Sequence, residues 1–277
     1  MTLPNFLIIG SQKCGTTSLH DILAKHPEAN MSKKKEINFF TNEELFEKGL
    51  KHYSSFFDPP NKNQLVTGES TPSYICHPNT AEKISQTLGK DIKLVLLLRD
   101  PIKRAYSQYW DSRTRLRQIH KKDKIINMYL SDQYSPDKRG YFSRGVYIKY
   151  INEYLKYFDK TQIHIIVFEE LINNQNFELR RLYKFLGINP ESGLQKLAKA
   201  SNVTGVYNNM LYKFFFNNPS FQRFLPKGAR PLLYFGKKIK FKYRMPESKD
   251  LNILKSFYKP YNKELEEYLG KTLKYWI

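Results

Sequence analysis

Three short apolar runs punctuate the chain: Phe6–Ile9, Lys93–Leu98 and Ile163–Phe168. None alternates with polar residues, and a polar turn follows each. Such runs predict parallel strands buried on both faces. Apolar residues at helical spacing predict helices over Thr16–Lys25, Asn79–Leu88, Ile102–Arg115, Tyr147–Phe158 and Phe177–Leu186, with Gly187 as a stop. Strands alternating with helices predict an α/β fold, a central parallel sheet flanked by helices. The segment from Lys196 to Arg244 is aromatic and basic and is interrupted by Pro219, Pro226 and Pro231. It reads as short helices and loops over the functional edge of the sheet. A last helix, Asp250–Leu269, turns Leu251, Leu254, Tyr258, Leu265 and Leu269 to one broad face. There is no internal repeat, so one domain over residues 1–277 is the expectation.

Composition narrows the function. Apolar residues make up 40% of 277, enough for a sizeable core. No stretch of about 20 apolar residues exists to span a bilayer, and the start of the chain has no signal-peptide pattern. The expectation is a cytoplasmic protein without a membrane partner. The net charge of +20 favours anionic ligands. Its lysines are spread along the chain, without an arginine-rich run or a nucleic-acid-binding pattern, so no nucleic-acid partner is expected. Two cysteines and six scattered histidines show no metal spacing. Cys14 reads as a small residue filling a turn.

The chemistry is concentrated in two strand-to-helix junctions. In "FLIIGSQKCGTTSL" a buried strand runs into a glycine-marked turn and then a helix. The helix start offers N–H groups and the positive end of the dipole to an anion. Gly10 and Gly15 allow tight turning, Thr16 and Thr17 add hydroxyls, and Lys13 approaches from the side opposite the helix. "KLVLLLRDPIKRAYSQY" repeats the plan, with Arg99 at the strand exit, Asp100 as N-cap, Pro101 at the first helical position and Ser107 two turns in. Arg99 and Ser107 can converge on one phosphate. Two anion sites at adjacent strand ends call for a nucleotide phosphorylated at both ends.

These motifs resemble those of the sulfotransferases that use 3'-phosphoadenosine 5'-phosphosulfate (PAPS). "IIGSQKCGTTSL" resembles their 5'-phosphosulfate loop, P-loop-like in form. "LLRDPIKRAYSQY" resembles their 3'-phosphate motif. "KKKEINFF" (Lys33–Phe40) is similar to the segment carrying the catalytic carboxylate of heparan-sulfate-type members, and "GESTPSY" (Gly68–Tyr74) to the motif after it. The C-terminal helix and closing tryptophan match as well. The resemblance implies PAPS as cosubstrate, PAP (adenosine 3',5'-bisphosphate) as product, and no metal. It implies Lys13 beside the leaving oxygen and Glu36 as general base. The implied nucleotide contacts are Ser11, Gln12, Lys13, Cys14, Gly15, Thr16, Thr17, Ser18, Arg99, Ser107 and Arg244. Glu69, Ser70, Arg144 and Tyr147 are the implied acceptor-side residues. For Tyr147, Tyr150 and Tyr154, a place in the core or cleft wall is the stronger reading of their helical spacing.

Ser70 stands where some heparan-sulfate members carry lysine, which weighs against a heparan acceptor. The glycine-rich basic loop of the family has no clean counterpart. "KIKFKYRMP" (Lys238–Pro246), with Arg244, and "PKGAR" (Pro226–Arg230) compete for that place. The expected acceptor is a small molecule or saccharide, sulfated on a hydroxyl or an amine or amide nitrogen. Specialised metabolites, including alkaloids of the saxitoxin type, fall within it. Two rivals remain. A phosphoryl transferase lacks the Gly-Lys-Ser/Thr ending and a carboxylate set for magnesium. An inactive anion- or glycan-binding protein sits poorly with intact Lys13 and Glu36.

Overall fold

Uninterrupted apolar runs need cover on both faces, and a parallel sheet between helical layers supplies it. The computed structural model describes residues 1–115, 140–201 and 248–276. In chain order the strands are β1 (Phe6–Gly10), β2 (Ala29–Met31), β3 (Val66–Ser70), β4 (Lys93–Leu98) and β5 (Ile163–Val167). The described helices are α1 (Thr16–Ala24), α2 (Glu43–Glu47), α3 (Gly49–Ser54), α4 (Thr80–Leu88), α5 (Pro101–Arg115), α6 (Tyr147–Tyr154), α7 (Phe168–Asn173), α8 (Gln175–Leu186), α9 (Pro190–Ser201) and α10 (Ser248–Leu269).

All strand pairs are parallel, in the order β2-β3-β1-β4-β5. Side chains on successive strand residues point to opposite faces. Leu7, Ile9, Leu94, Leu96 and Leu98 therefore join one core with Phe39, Phe40, Tyr53, Tyr74, Tyr147 and Ile151. Phe6, Ile8, Val95 and Leu97 join another with Leu19, Leu23, Leu179 and Leu182. A third cluster packs Ile102 and Tyr106 of α5 against Leu254 and Tyr258 of α10.

The three predicted strands are present, and two more, β3 and β2, extend the sheet beyond β1. The third predicted run loses Phe168, which begins α7. The helix read from Tyr147 ends at Tyr154. Gly187 ends α8 at φ 84°, its N–H donating to the Tyr183 and Lys184 carbonyls. Leu254, Tyr258 and Leu265 of α10 are buried, as the single apolar face requires.

Within the sheet, β3 and β2 lie to one side of β1, and β4 and β5 to the other. That change of side opens a crevice at the carboxyl ends of neighbouring strands, where α/β sheets bind ligands. Both motif loops emerge there.

Candidate active site

The glycine turn is pinned on both flanks. Ser11 N–H donates to the Leu97 carbonyl on β4 at 2.8 Å, and Thr71 N–H at the β3 exit donates to the Ile8 carbonyl at 3.1 Å. Gly10 is required by close packing, since a Cβ there would lie 2.5 Å from Ile75 Cγ2. Gly15 is required by its backbone, at φ 92°. Lys13 also holds a left-handed conformation, φ 69°. For a lysine that is strained, and such strain gathers at functional sites.

The first turn of α1 has no side-chain cap and no acidic residue. Thr17 and Ser18 are exposed there, whereas Thr16 is buried. An uncapped helix start leaves backbone donors for an anion. Ser11 Oγ and Arg99 Nε are buried with no hydrogen-bond partner among the described residues, and both border the turn. These orphaned polar atoms and uncapped amides suit a phosphate or sulfate group.

Arg99 leaves β4 and reaches back to the turn, its Nη1 donating to the Lys13 carbonyl at 3.2 Å. Its guanidinium lies 5.0 Å from the Phe168 ring centroid. Asp100 is the expected cap, accepting from Ile102 N–H at 2.9 Å and Lys103 N–H at 3.1 Å. Ser107 is nearly buried on α5. One turn further, Asp111 Oδ1 lies 3.2 Å from Lys13 Nζ. This ion pair joins the glycine turn to α5 beyond the second motif, and motif reading did not reveal it. Gln12 accepts a hydrogen bond from Arg144 Nη1.

Cys14 is fully buried, its Sγ 3.7 Å from Tyr147 Oη. Burial pushes its thiol up to about 11, so it stays protonated and inert near neutral pH. Cys14 thus fills space, as expected.

Glu36 lies in the loop after β2. Its N–H donates to the Ser70 carbonyl at 2.9 Å, and Lys35 Nζ is 2.8 Å from Glu36 Oε1. The Glu36 side chain is 54% exposed, so it is open to a ligand. The loop is clamped by Ile37, Phe39 and Phe40, all buried.

Two expected acceptor contacts sit elsewhere. Tyr147 is buried, its hydroxyl donating to the Arg99 carbonyl at 2.8 Å. It braces Cys14 and Arg99, so the acceptor-contact expectation is corrected in favour of the core. Glu69 is also buried, not presented to an acceptor. Three hydroxyls donate to its carboxylate: Tyr53 at 2.6 Å, Thr71 at 2.7 Å and Tyr74 at 2.8 Å. Burial raises its pKa, and the three hydroxyl bonds oppose that rise. Ser70 is buried, with its Oγ unpartnered among the described residues. Arg244 and both competing basic loops lie outside the described residues.

A cavity of about 620 Å³ opens beside this crevice, between the Tyr74–Cys76 turn, the start of α4 and one face of α6. Two of its lining residues reach toward the catalytic candidates. Arg144 donates to Gln12, next to Lys13, and Ser73 Oγ donates to Asn38 Oδ1 at 3.2 Å, two residues from Glu36.

The motifs pointed to the closing tryptophan, Trp276, but gave no sign of its partner Glu169 or of Arg104. Trp276 Nε1 donates to Glu169 Oε2 at 3.2 Å, and Glu169 Oε1 accepts from Asp100 N–H at the same distance. The C-terminus is thereby tied to the Arg99 junction. Buried Arg104 donates to the Tyr141 carbonyl and holds the segment before Arg144.

A family model described as a sulfotransferase domain matches residues 3–228. The chain belongs to the sulfotransferase family. It is 27% identical over 276 residues to heparan sulfate glucosamine 3-O-sulfotransferase 5 of Mus musculus, covering 98% of this chain and 73% of that protein. It is 45% identical over 111 residues to the membrane-associated sulfotransferase kil1 of Dictyostelium discoideum, covering 39% of this chain and 23% of that protein. The chain thus spans less than a quarter of the latter's length. A sulfotransferase from Alicyclobacillus acidocaldarius shares the fold with a TM-score of 0.69 at 22% identity, covering 100% of this chain and 99% of that one. Among the described residues, no helix is long and apolar enough to cross a membrane.

Proposed function

We propose that this chain transfers the sulfuryl group of PAPS to a hydroxyl or amine of a small-molecule or saccharide acceptor, releasing PAP. The observation that carries the reading is the Lys13 turn. It combines an uncapped helix start, a lysine whose backbone is left-handed and Arg99 drawn up against the Lys13 carbonyl. The family match supports it.

PAPS, when bound, supplies an activated sulfuryl group and needs no metal for the role assigned to Lys13. The α1 amides, Ser11 and Gln12 would hold its 5' end, and Arg99 with Ser107 its 3'-phosphate. Lys13 offers positive charge to the oxygen on which negative charge develops. Glu36 receives the acceptor's proton at its carboxylate. The cavity at Arg144 and Ser73 suits the acceptor, because its volume matches a drug-sized ligand. Its lining mixes tyrosines with both signs of charge: Tyr150, Tyr157, Arg144, Lys149, Glu82 and Glu153. That mixture fits a compact polar acceptor better than a long polyanion.

The test is PAP release from PAPS with phenolic, amino-sugar, guanidino-alkaloid and heparosan-oligosaccharide acceptors. Acceptor-dependent PAP release supports the reading; none with any acceptor rejects it.

A further inference from the structure

The loop bearing Glu36 is conformationally costly, and the contacts that hold it converge on one buried group. Glu36 and Asn38 both adopt positive φ, 60° and 61°, which L side chains disfavour. Asn38 N–H donates to Thr71 Oγ1 at 3.3 Å, and Asn38 Nδ2 donates to the Glu36 carbonyl at 2.8 Å. Thr71 Oγ1 in turn donates to Glu69 Oε2.

Two aromatic contacts follow the same plan. Phe39 stacks on Tyr53 with centroids 4.2 Å apart, and Phe40 meets Tyr74 edge-on at 5.5 Å. The hydroxyls of both tyrosines donate to Glu69 Oε1. Thus Thr71 meets Asn38, Tyr53 meets Phe39 and Phe40, Tyr74 meets Phe40, and all three donate to the same carboxylate. An ionised carboxylate accepts from all three, being acceptor-only.

A carboxylate inside a sheet is unfavourable unless fully hydrogen-bonded. An apolar residue could fill the space but could not fix three hydroxyl rotors at once. Resting on the assignment of Glu36 as base, we infer that Glu69 is a positioning residue, orienting the Glu36 loop through Thr71, Tyr53 and Tyr74 without itself touching acceptor or nucleotide.

The test compares Glu69→Gln, Thr71→Val and Thr71→Ser with wild type. Hydrogen exchange of residues 36–42, PAP affinity by calorimetry and thermal stability are read for each. Glu69→Gln and Thr71→Val should speed exchange in 36–42 by about tenfold or more, with the sheet amides unchanged and PAP affinity within about twofold. Thr71→Ser, which keeps the hydroxyl, should restore protection. With an acceptor found by the PAP-release panel, kcat should fall about 10²-fold, the scale of a small misplacement of a reacting group, while KM stays near wild type.

Wild-type exchange in 36–42 for Thr71→Val would overturn the inference. So would equal acceleration across the whole sheet, or Thr71→Ser behaving like Thr71→Val. Should Glu69→Gln fail to fold, the threonine pair decides. If no acceptor is ever sulfated, the function falls, and the exchange data still decide the role of Glu69.

Discussion

Lys13 and Asp111 form an ion pair at 3.2 Å that bridges the glycine turn and the middle of α5. The side chains are 28% and 35% exposed, so the pair is open to solvent and to salt. Pairs of this kind contribute about 0–1 kcal/mol. An anion arriving at the turn competes with Asp111 for the same ammonium.

Asp111→Asn should therefore tighten PAP binding, by up to about fivefold, the scale of that ion pair. Titration calorimetry at low and high salt checks it. The gain should shrink as salt rises. Weaker binding would mean that Asp111 holds Lys13 in its productive position.

Arg99→Ala should weaken PAP binding more than binding of adenosine 5'-phosphosulfate, which lacks the 3'-phosphate. A hydrogen bond to a charged group contributes about 1.5–3 kcal/mol, a tenfold to hundredfold effect. Equal losses for both nucleotides would place Arg99 as a support of the Lys13 carbonyl only.

PAP should raise the melting temperature, and EDTA should leave that shift intact. Ligand at a hundredfold excess over its Kd adds about 2.7 kcal/mol of stability. A shift abolished by EDTA would contradict metal-free nucleotide binding.

Stability should fall on acidification because of His164. Burial, with Arg181 and Lys271 nearby, lowers its pKa to about 4. The ring stacks on Phe185 at 5.0 Å. The unfolded chain takes up a proton near pH 6.5, and the folded one not until near 4. Its contribution is therefore full above about 6.5 and is lost as pH falls toward 4, with a magnitude on the order of 3 kcal/mol. His164→Phe should flatten the stability profile between pH 6.5 and 4 in chemical denaturation. An unchanged slope would assign the acid sensitivity to other groups, His20 and His26 first, since burial lowers both.

The strands legible in the sequence are those whose side chains are apolar on both faces, β1, β4 and β5. β3 escaped because it reads Val-Thr-Gly-Glu-Ser, mostly polar, although every residue of it is buried. Much of its polarity is satisfied internally, Glu69 by three hydroxyls and Thr67 Oγ1 by Asn30 Nδ2 at 3.4 Å, while Ser70 Oγ has no partner among the described residues. Gly68 carries the Phe6 ring against its backbone. β2, only three residues long, is too short to show a period. The Lys13 turn and the Arg99 junction were legible because each is contiguous, a strand end followed by a helix start. The Lys13–Asp111 pair, the Arg144–Gln12 bond and the contacts that link the Glu69 hub to Tyr53 and to the Glu36 loop join residues distant in sequence, and no local spacing encodes them. The resemblance points Glu69 toward the acceptor because a motif gives position along the chain, whereas the direction of a side chain is set by packing; for Tyr147 the helical spacing already favoured the core or cleft wall, and it is buried.

The central claim is that Glu36 takes the acceptor's proton while the Lys13 turn holds the nucleotide. Single-turnover sulfuryl transfer from labelled PAPS by Glu36→Gln, beside PAP calorimetry on the same protein, tests it most directly. Transfer should slow by about 10²–10⁴-fold, the usual loss for a general base, with PAP affinity unchanged. Transfer at the wild-type rate, or loss of PAP binding, would contradict the claim.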